Sequence, residues 1–120
     1  MPRILGMRQN QVMMEESYPA EMSNTFKGLE RNFNPWGIGF DQRGDWSKGL
    51  DLPLMSESNL DEIDVLMWVG CAGSFDSRNQ KIARATATLY KKAGVKFAIL
   101  GSEEKCTGDL ARRSGNEMLF

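Results

Sequence analysis

The chain contains no histidine among its 120 residues. That absence removes the usual general base at neutral pH, histidine-ligated zinc or haem, Rieske-type iron–sulfur ligation and every Ser-His-Asp or Cys-His arrangement. Cysteine is nearly as scarce, with only Cys71 and Cys106. The N-terminal residues carry no apolar leader, and with so few cysteines a reducing, cytoplasmic setting is expected rather than a structural disulfide. Long apolar runs are also missing. The longest, Val65 to Gly73, is interrupted by two glycines and falls far short of the roughly twenty residues of a membrane helix. Neither sign of charge is in excess: 15 basic and 16 acidic residues leave a net charge of −1. Nothing in that balance calls for nucleic acid or an anionic membrane as partner.

What is present is 41% hydrophobic and 26% charged, the make-up of a globular domain able to bury a core. The two halves differ. Residues 1–60 are rich in Met, Asn and Gly and weakly periodic, which predicts an irregular, linker-like segment of helices and loops without a core of its own. Within it, Ile4 to Glu16 reads as a helix. Pro19 to Leu29 reads as another, with Pro19 at its first position and Met22, Phe26 and Leu29 on one face. The turn-rich Asn32–Phe40 stretch follows, and Trp36 and Trp46 are expected to anchor this region by burial. Trp46 to Leu50 reads as one helical turn.

Residues 61–120 are more regular and predict an α/β arrangement, a partial parallel sheet built from a β-α-β-α unit. Asp64 to Gly70 reads as a strand buried on both faces. A helix from Ser77 to Ala93 is capped by Asp76 or Ser77, presents Ile82, Ala85, Leu89 and Ala93 to the core, and is closed by Gly94. Val95 to Leu100 is a second strand, and Asp109 opens a final helix running to Leu119.

This order puts both cysteines at strand-to-helix turns, with 34 residues between them in sequence, at the carboxyl edge where open α/β sheets bind ligands. A following helix N-terminus favours thiolate over thiol, and Gly70, Gly73 and Gly108 permit close backbone approach and free N–H groups. Four uses of this pattern compete. Free cysteine is among the most buried residue types, so both thiols fit an α/β interaction module as inert core residues. The Gly70–Ser74 turn could hold an anion or nucleotide, although neither G-x-G-x-x-G nor the P-loop pattern occurs. A thiol-phosphatase loop requires five residues between cysteine and arginine, whereas six separate Cys71 from Arg78. An iron–sulfur site requires thiolates arriving from separate loops, and here there are two.

The segments Trp68-Val69-Gly70-Cys71-Ala72-Gly73-Ser74-Phe75-Asp76, Phe97-Ala98-Ile99-Leu100-Gly101 and Glu104-Lys105-Cys106-Thr107-Gly108-Asp109, with Ala111-Arg112-Arg113 and Gly115-Asn116-Glu117, resemble the cysteine-rich CCG domain of the heterodisulfide-reductase-related (Fe–S)-binding oxidoreductases. Val12-Met13-Met14-Glu15 and Asn34-Pro35-Trp36-Gly37-Ile38 are similar to the linker that precedes the first CCG repeat in one branch. The resemblance implies an iron–sulfur electron-transfer component. Cys71 and Cys106 would be thiolate ligands of a [4Fe–4S]-type cluster, with Gly70, Gly73, Thr107 and Gly108 around them and no residue in a catalytic role. Thr107 stands where many members carry a second cysteine, and the later C-x-x-C pair is not in the sequence. Two thiolates are at most half of a four-ligand site, so the resemblance implies an internal fragment, with residues 1–60 a linker and 61–120 the first part of the CCG domain. It also implies redox partners of the electron-transfer-flavoprotein or ferredoxin type. Any membrane association would come through other parts of the full-length protein.

Overall fold

The computed structural model describes residues 2–120. It is mixed helix with a small parallel sheet, the expected partial α/β arrangement, and falls into two compact units. One comprises residues 39–105. The other comprises the residues up to Ile38 together with Cys106–Phe120.

The 39–105 unit is organised by two parallel strands, β1 (Val65–Leu66) and β2 (Phe97–Ala98), with Val65 opposite Phe97 and Leu66 opposite Ala98. On the other side of β2, Leu54 bridges Ile99 in parallel, an extended contact the sequence did not signal. Between the strands lie helices α3 (Gly70–Phe75) and α4 (Ser77–Lys92). The core holds Trp46, Met67, Ala83, Ala87, Phe97 and Ile99, with Tyr90 set edge-on to Phe97 at 5.3 Å.

Three expectations fail here. Val65 and Leu66 are exposed, so the first strand is not buried on both faces. Among the described residues no strand flanks β1 on its outer edge, and only Met67, at its end, turns inward. The buried face of α4 is Ala83 and Ala87, while Ile82, Ala85, Leu89 and Ala93 are exposed. Both stripes have helical spacing; the small alanines let the helix approach Trp46 and Met67 closely, and the larger aliphatics are left outside. A 3-10 helix over Phe40–Ser47 replaces the single turn expected at Trp46 to Leu50.

The α4 start matches the expectation. Asp76 Oδ1 accepts hydrogen bonds from the Asn79 backbone N–H (2.9 Å) and side-chain amide (2.8 Å). The Asn79 backbone donor is the main reason the Asp76 carboxyl is held below its ordinary value of 3.8. A folded-state pKa below the unfolded one means stabilisation present above the unfolded pKa and lost as pH falls through the folded one. Asp76→Ala is therefore expected to melt lower than wild type at neutral pH, with the gap closing as pH drops below about 4. Thermal melts followed by circular dichroism across pH 2–7 check this, and a gap that persists unchanged at the acid end contradicts it.

In the other unit, α1 (Pro2–Gln9) runs into a single π-turn over Asn10–Met14, and α2 spans Ala20–Asn32 with Pro19 as its N-cap rather than its first residue. Val12, Phe26 and Leu29 form a core with Ala111, joined by Tyr18, Met22, Cys106 and Leu119. The early segment expected to lack a core thus shares one with the C-terminal residues. Asn34 is fully buried; its side chain accepts from the N–H groups of Trp36 and Ile38 and donates to the carbonyls of Asn32 and Ile38. Of the two tryptophans expected to anchor the region, Trp46 is buried and Trp36 is half exposed. The last helix, α5, covers only Asp109–Ser114, because Gly115 takes a left-handed conformation (φ 98°) and the Asn116 N–H closes back on the Ala111 carbonyl, a Schellman ending.

Candidate metal centre

The predicted site residues divide between the two units: Gly70, Cys71 and Gly73 in one, Cys106, Thr107 and Gly108 in the other. Cys71 is the second residue of α3, a short helix separated from β1 by Met67, Trp68 and Val69. It is half-buried, and its Sγ accepts a hydrogen bond from Arg43 Nη2 at 3.4 Å. Arg43 is almost fully buried, as is its ion-pair partner Glu104 at 3.0 Å. Glu104 is fixed further by two backbone donors, with the Val69 N–H on Oε2 (2.9 Å) and the Gly70 N–H on Oε1 (2.8 Å). The guanidinium carbon also lies 5.7 Å from the centre of the Phe75 ring.

The 3-10 helix explains how an arginine comes to lie here. At three residues per turn, positions i and i+3 share one side, so burying Trp46 in the core carries Arg43 inward with it. Arg84 Nη1 fastens the end of that helix by donating to the carbonyls of Trp46 (2.6 Å) and Lys48 (2.9 Å).

The glycines act differently from one another. Gly70 has φ +77° and its N–H is engaged by Glu104 rather than free. A Cβ on Gly73 would fall 2.6 Å from Val69 Cγ1, so this glycine makes room for the Val69 side chain, while at 3.6 Å the Ala83 Cβ of α4 would be in ordinary contact. At the second cysteine, the Cys106 N–H donates to the Phe33 carbonyl (3.1 Å), and the half-buried sulfur accepts the Gly108 N–H at 3.4 Å. Thr107 is exposed.

Arg43 and Glu104 are the functional-site residues that sequence reasoning missed. Glu104 opens the Glu104–Asp109 motif, two residues before Cys106. For Arg43, 28 residues before Cys71, no local signal existed.

Both sulfurs are hydrogen-bond acceptors, the role a metal-bound thiolate plays, and soft sulfur donors without imidazole suit iron–sulfur ligation. Among the described residues no three Cys, Asp or Glu side chains gather as a complete metal site. The donor set therefore fits part of an iron–sulfur centre.

A cysteine-bearing α/β segment of this kind defines the class. Residues 65–120 match the family described as the CCG cysteine-rich domain. The EtfAB:quinone oxidoreductase of Syntrophomonas wolfei is 42% identical over 122 residues, covering 99% of this chain and 17% of that protein. A protein of Bacillus subtilis named probable iron-sulfur-binding oxidoreductase FadF is 39% identical, covering 98% of this chain and 17% of its own length. The dihydromethanophenazine:CoB–CoM heterodisulfide reductase of Methanosarcina mazei has a polypeptide 40% identical over 55 residues, 46% of this chain and 13% of that polypeptide. The chain thus spans about a sixth of the two relatives it matches end to end. No solved structure matches it at a comparable level. Among the described residues no helix is long and apolar enough to cross a membrane.

Proposed function

We propose that this chain is part of an iron–sulfur electron-transfer oxidoreductase of the heterodisulfide-reductase-related type. In this reading Cys71 and Cys106 supply two of the thiolate ligands of a [4Fe–4S]-type cluster, with Gly70, Gly73, Thr107 and Gly108 beside them. Residues 61–120 serve as the first part of the cluster-bearing domain, and residues 1–60 as its preceding linker. The observation that carries the reading is the Cys71 sulfur accepting a hydrogen bond from a buried, ion-paired arginine. An inert core thiol has no need of such a donor, and neither cysteine is fully buried. The alternative of an anion or nucleotide at the Gly70–Ser74 turn is disfavoured, because the N–H groups of Val69 and Gly70 already hold a buried carboxylate.

When bound, such a cluster supplies one-electron transfer. This chain's residues present and orient two sulfurs and exclude water from one side of Cys71. The remaining thiolates, and any membrane association, are assigned to sequence outside these 120 residues. The proposed exchange partners are an electron-transfer flavoprotein or a ferredoxin-like protein.

Cys71→Ala and Cys106→Ala, each made in the holoprotein purified anaerobically, are expected to lose about four irons and four sulfides per chain relative to wild type, as one such cluster contains. The corresponding paramagnetic resonance signal is expected to disappear with them. Full iron and sulfide content in both variants would overturn the ligand assignment.

A further inference from the structure

Glu104 holds Cys71 from both ends. Its carboxylate binds the N–H groups of Val69 and Gly70, the two residues leading into Cys71. Through the 3.0 Å ion pair it also fixes Arg43, whose Nη2 reaches the Cys71 sulfur. One carboxylate thereby sets the backbone entering the cysteine and the donor at the end of its side chain.

Stability is a poor explanation for such a pair. Well-packed apolar residues of similar volume commonly replace a buried ion pair at no loss of stability. What an apolar pair cannot provide is a charged donor held at fixed orientation against a sulfur. The guanidinium suits this: its Nη2 carries two N–H groups and donates to both the carboxylate and the sulfur, and its charge is permanent. With side-chain exposures of 1% and 3%, the two charges act on the sulfur with little screening by salt.

We infer that Arg43 and Glu104 are positioning residues that set the electron affinity of the centre held through Cys71, with opposite signs. This rests on the reading of Cys71 as a ligand. Hydrogen bonds and net charge around ligand sulfurs are main determinants of iron–sulfur reduction potentials. Arg43 donates to the sulfur and places positive charge 3.4 Å from it, which favours the more electron-rich, reduced centre. Glu104 balances that charge, so removing it leaves Arg43 uncompensated and favours reduction further.

The test is a redox titration of the anaerobically purified holoprotein, following the centre whose signal disappears in Cys71→Ala. Arg43→Gln is expected to make reduction about tenfold less favourable, a downward shift of about 59 mV for a one-electron couple. Glu104→Gln is expected to shift it upward by a similar amount. Arg43→Lys, which keeps the charge, should fall between wild type and Arg43→Gln. The neutral double variant Arg43→Gln/Glu104→Gln should fall between the two single variants, and it decides the matter if Arg43→Gln does not fold. Unshifted potentials, or shifts of the same sign in both single variants, overturn the inference.

Should Cys71→Ala keep its full iron and sulfide, the ligand reading fails and the pair is judged on the thiol itself. Iodoacetamide labelling of the metal-free protein, read by mass spectrometry with Cys106 as internal reference, is then expected to show the Cys71:Cys106 rate ratio falling about fivefold in Arg43→Gln. An unchanged or increased ratio overturns the role of Arg43.

Discussion

Glu104→Ala is expected to lower folding stability by about 3–5 kcal/mol, the range for removing one partner of a buried ion pair. In a chain of this size that corresponds to a fall in melting temperature of roughly 10–20 °C. Three losses coincide. Arg43 is left charged in a site where its side chain is 1% exposed, and the N–H groups of Val69 and Gly70 lose their acceptor. Unpaired buried donors and charges are among the few mechanisms that produce effects this large. Replacing both members with apolar residues, Arg43→Met with Glu104→Leu, should recover the part of the loss due to the uncompensated charge, while the Val69 and Gly70 N–H groups still lack their acceptor. A single variant within about 1 kcal/mol of wild type in urea unfolding would show that water reaches this pair. The recovered double variant would keep the fold while lacking the donor to Cys71, which separates the pair's contribution to folding from its effect on the sulfur.

The order of elements could be read in the sequence because each carried a local physical signal. Asp76 caps α4 and Gly94 follows it in the left-handed conformation (φ 70°), as a polar acceptor and a missing Cβ require. The two cysteines stood out by scarcity and by their glycine-flanked surroundings, enough to indicate the family. Burial was harder to read. Periodicity fits the Ile82/Leu89 stripe of α4 as well as the Ala83/Ala87 stripe, and hydrophobicity favours the wrong one. Val65 and Leu66 read as interior strand residues, yet the small sheet leaves them exposed. Arg43 defied the reading altogether. Sequence patterns treat a charged side chain as solvated, and only the three-residue turn through Trp46 places it inside. The two cysteines of the candidate site were therefore legible, while the buried ion pair beside one of them was fixed by tertiary structure.

Gly115→Ala is expected to be nearly as disruptive, at a position with no chemical function. Gly115 has φ 98°, a conformation that costs a residue with a Cβ about 1–2 kcal/mol. It also lies against the last residues of α1: a Cβ there would collide with the backbone carbonyl of Arg8 and fall 2.7 Å from the Gln9 nitrogen. Backbone cannot turn aside as a flexible side chain does, so either α1 or the 115–116 turn must move. Movement of α1 would break the hydrogen bonds from Arg8 Nη1 to the Arg113 carbonyl (2.8 Å) and from Gln9 Nε2 to Glu117 (3.2 Å). Overpacking of this kind commonly adds about 1–3 kcal/mol, for a combined loss between about 2 and 5 kcal/mol. Gly94→Ala is the control that separates the two contributions. Gly94 has a similar positive φ of 70° but nothing within 4 Å of a built Cβ, so its substitution should carry only the conformational cost. Unfolding measurements that rank Gly115→Ala well below Gly94→Ala, with faster hydrogen exchange at the α1 amides, would establish the steric contribution. Equal losses for the two variants would show that α1 does not hold its place against Gly115.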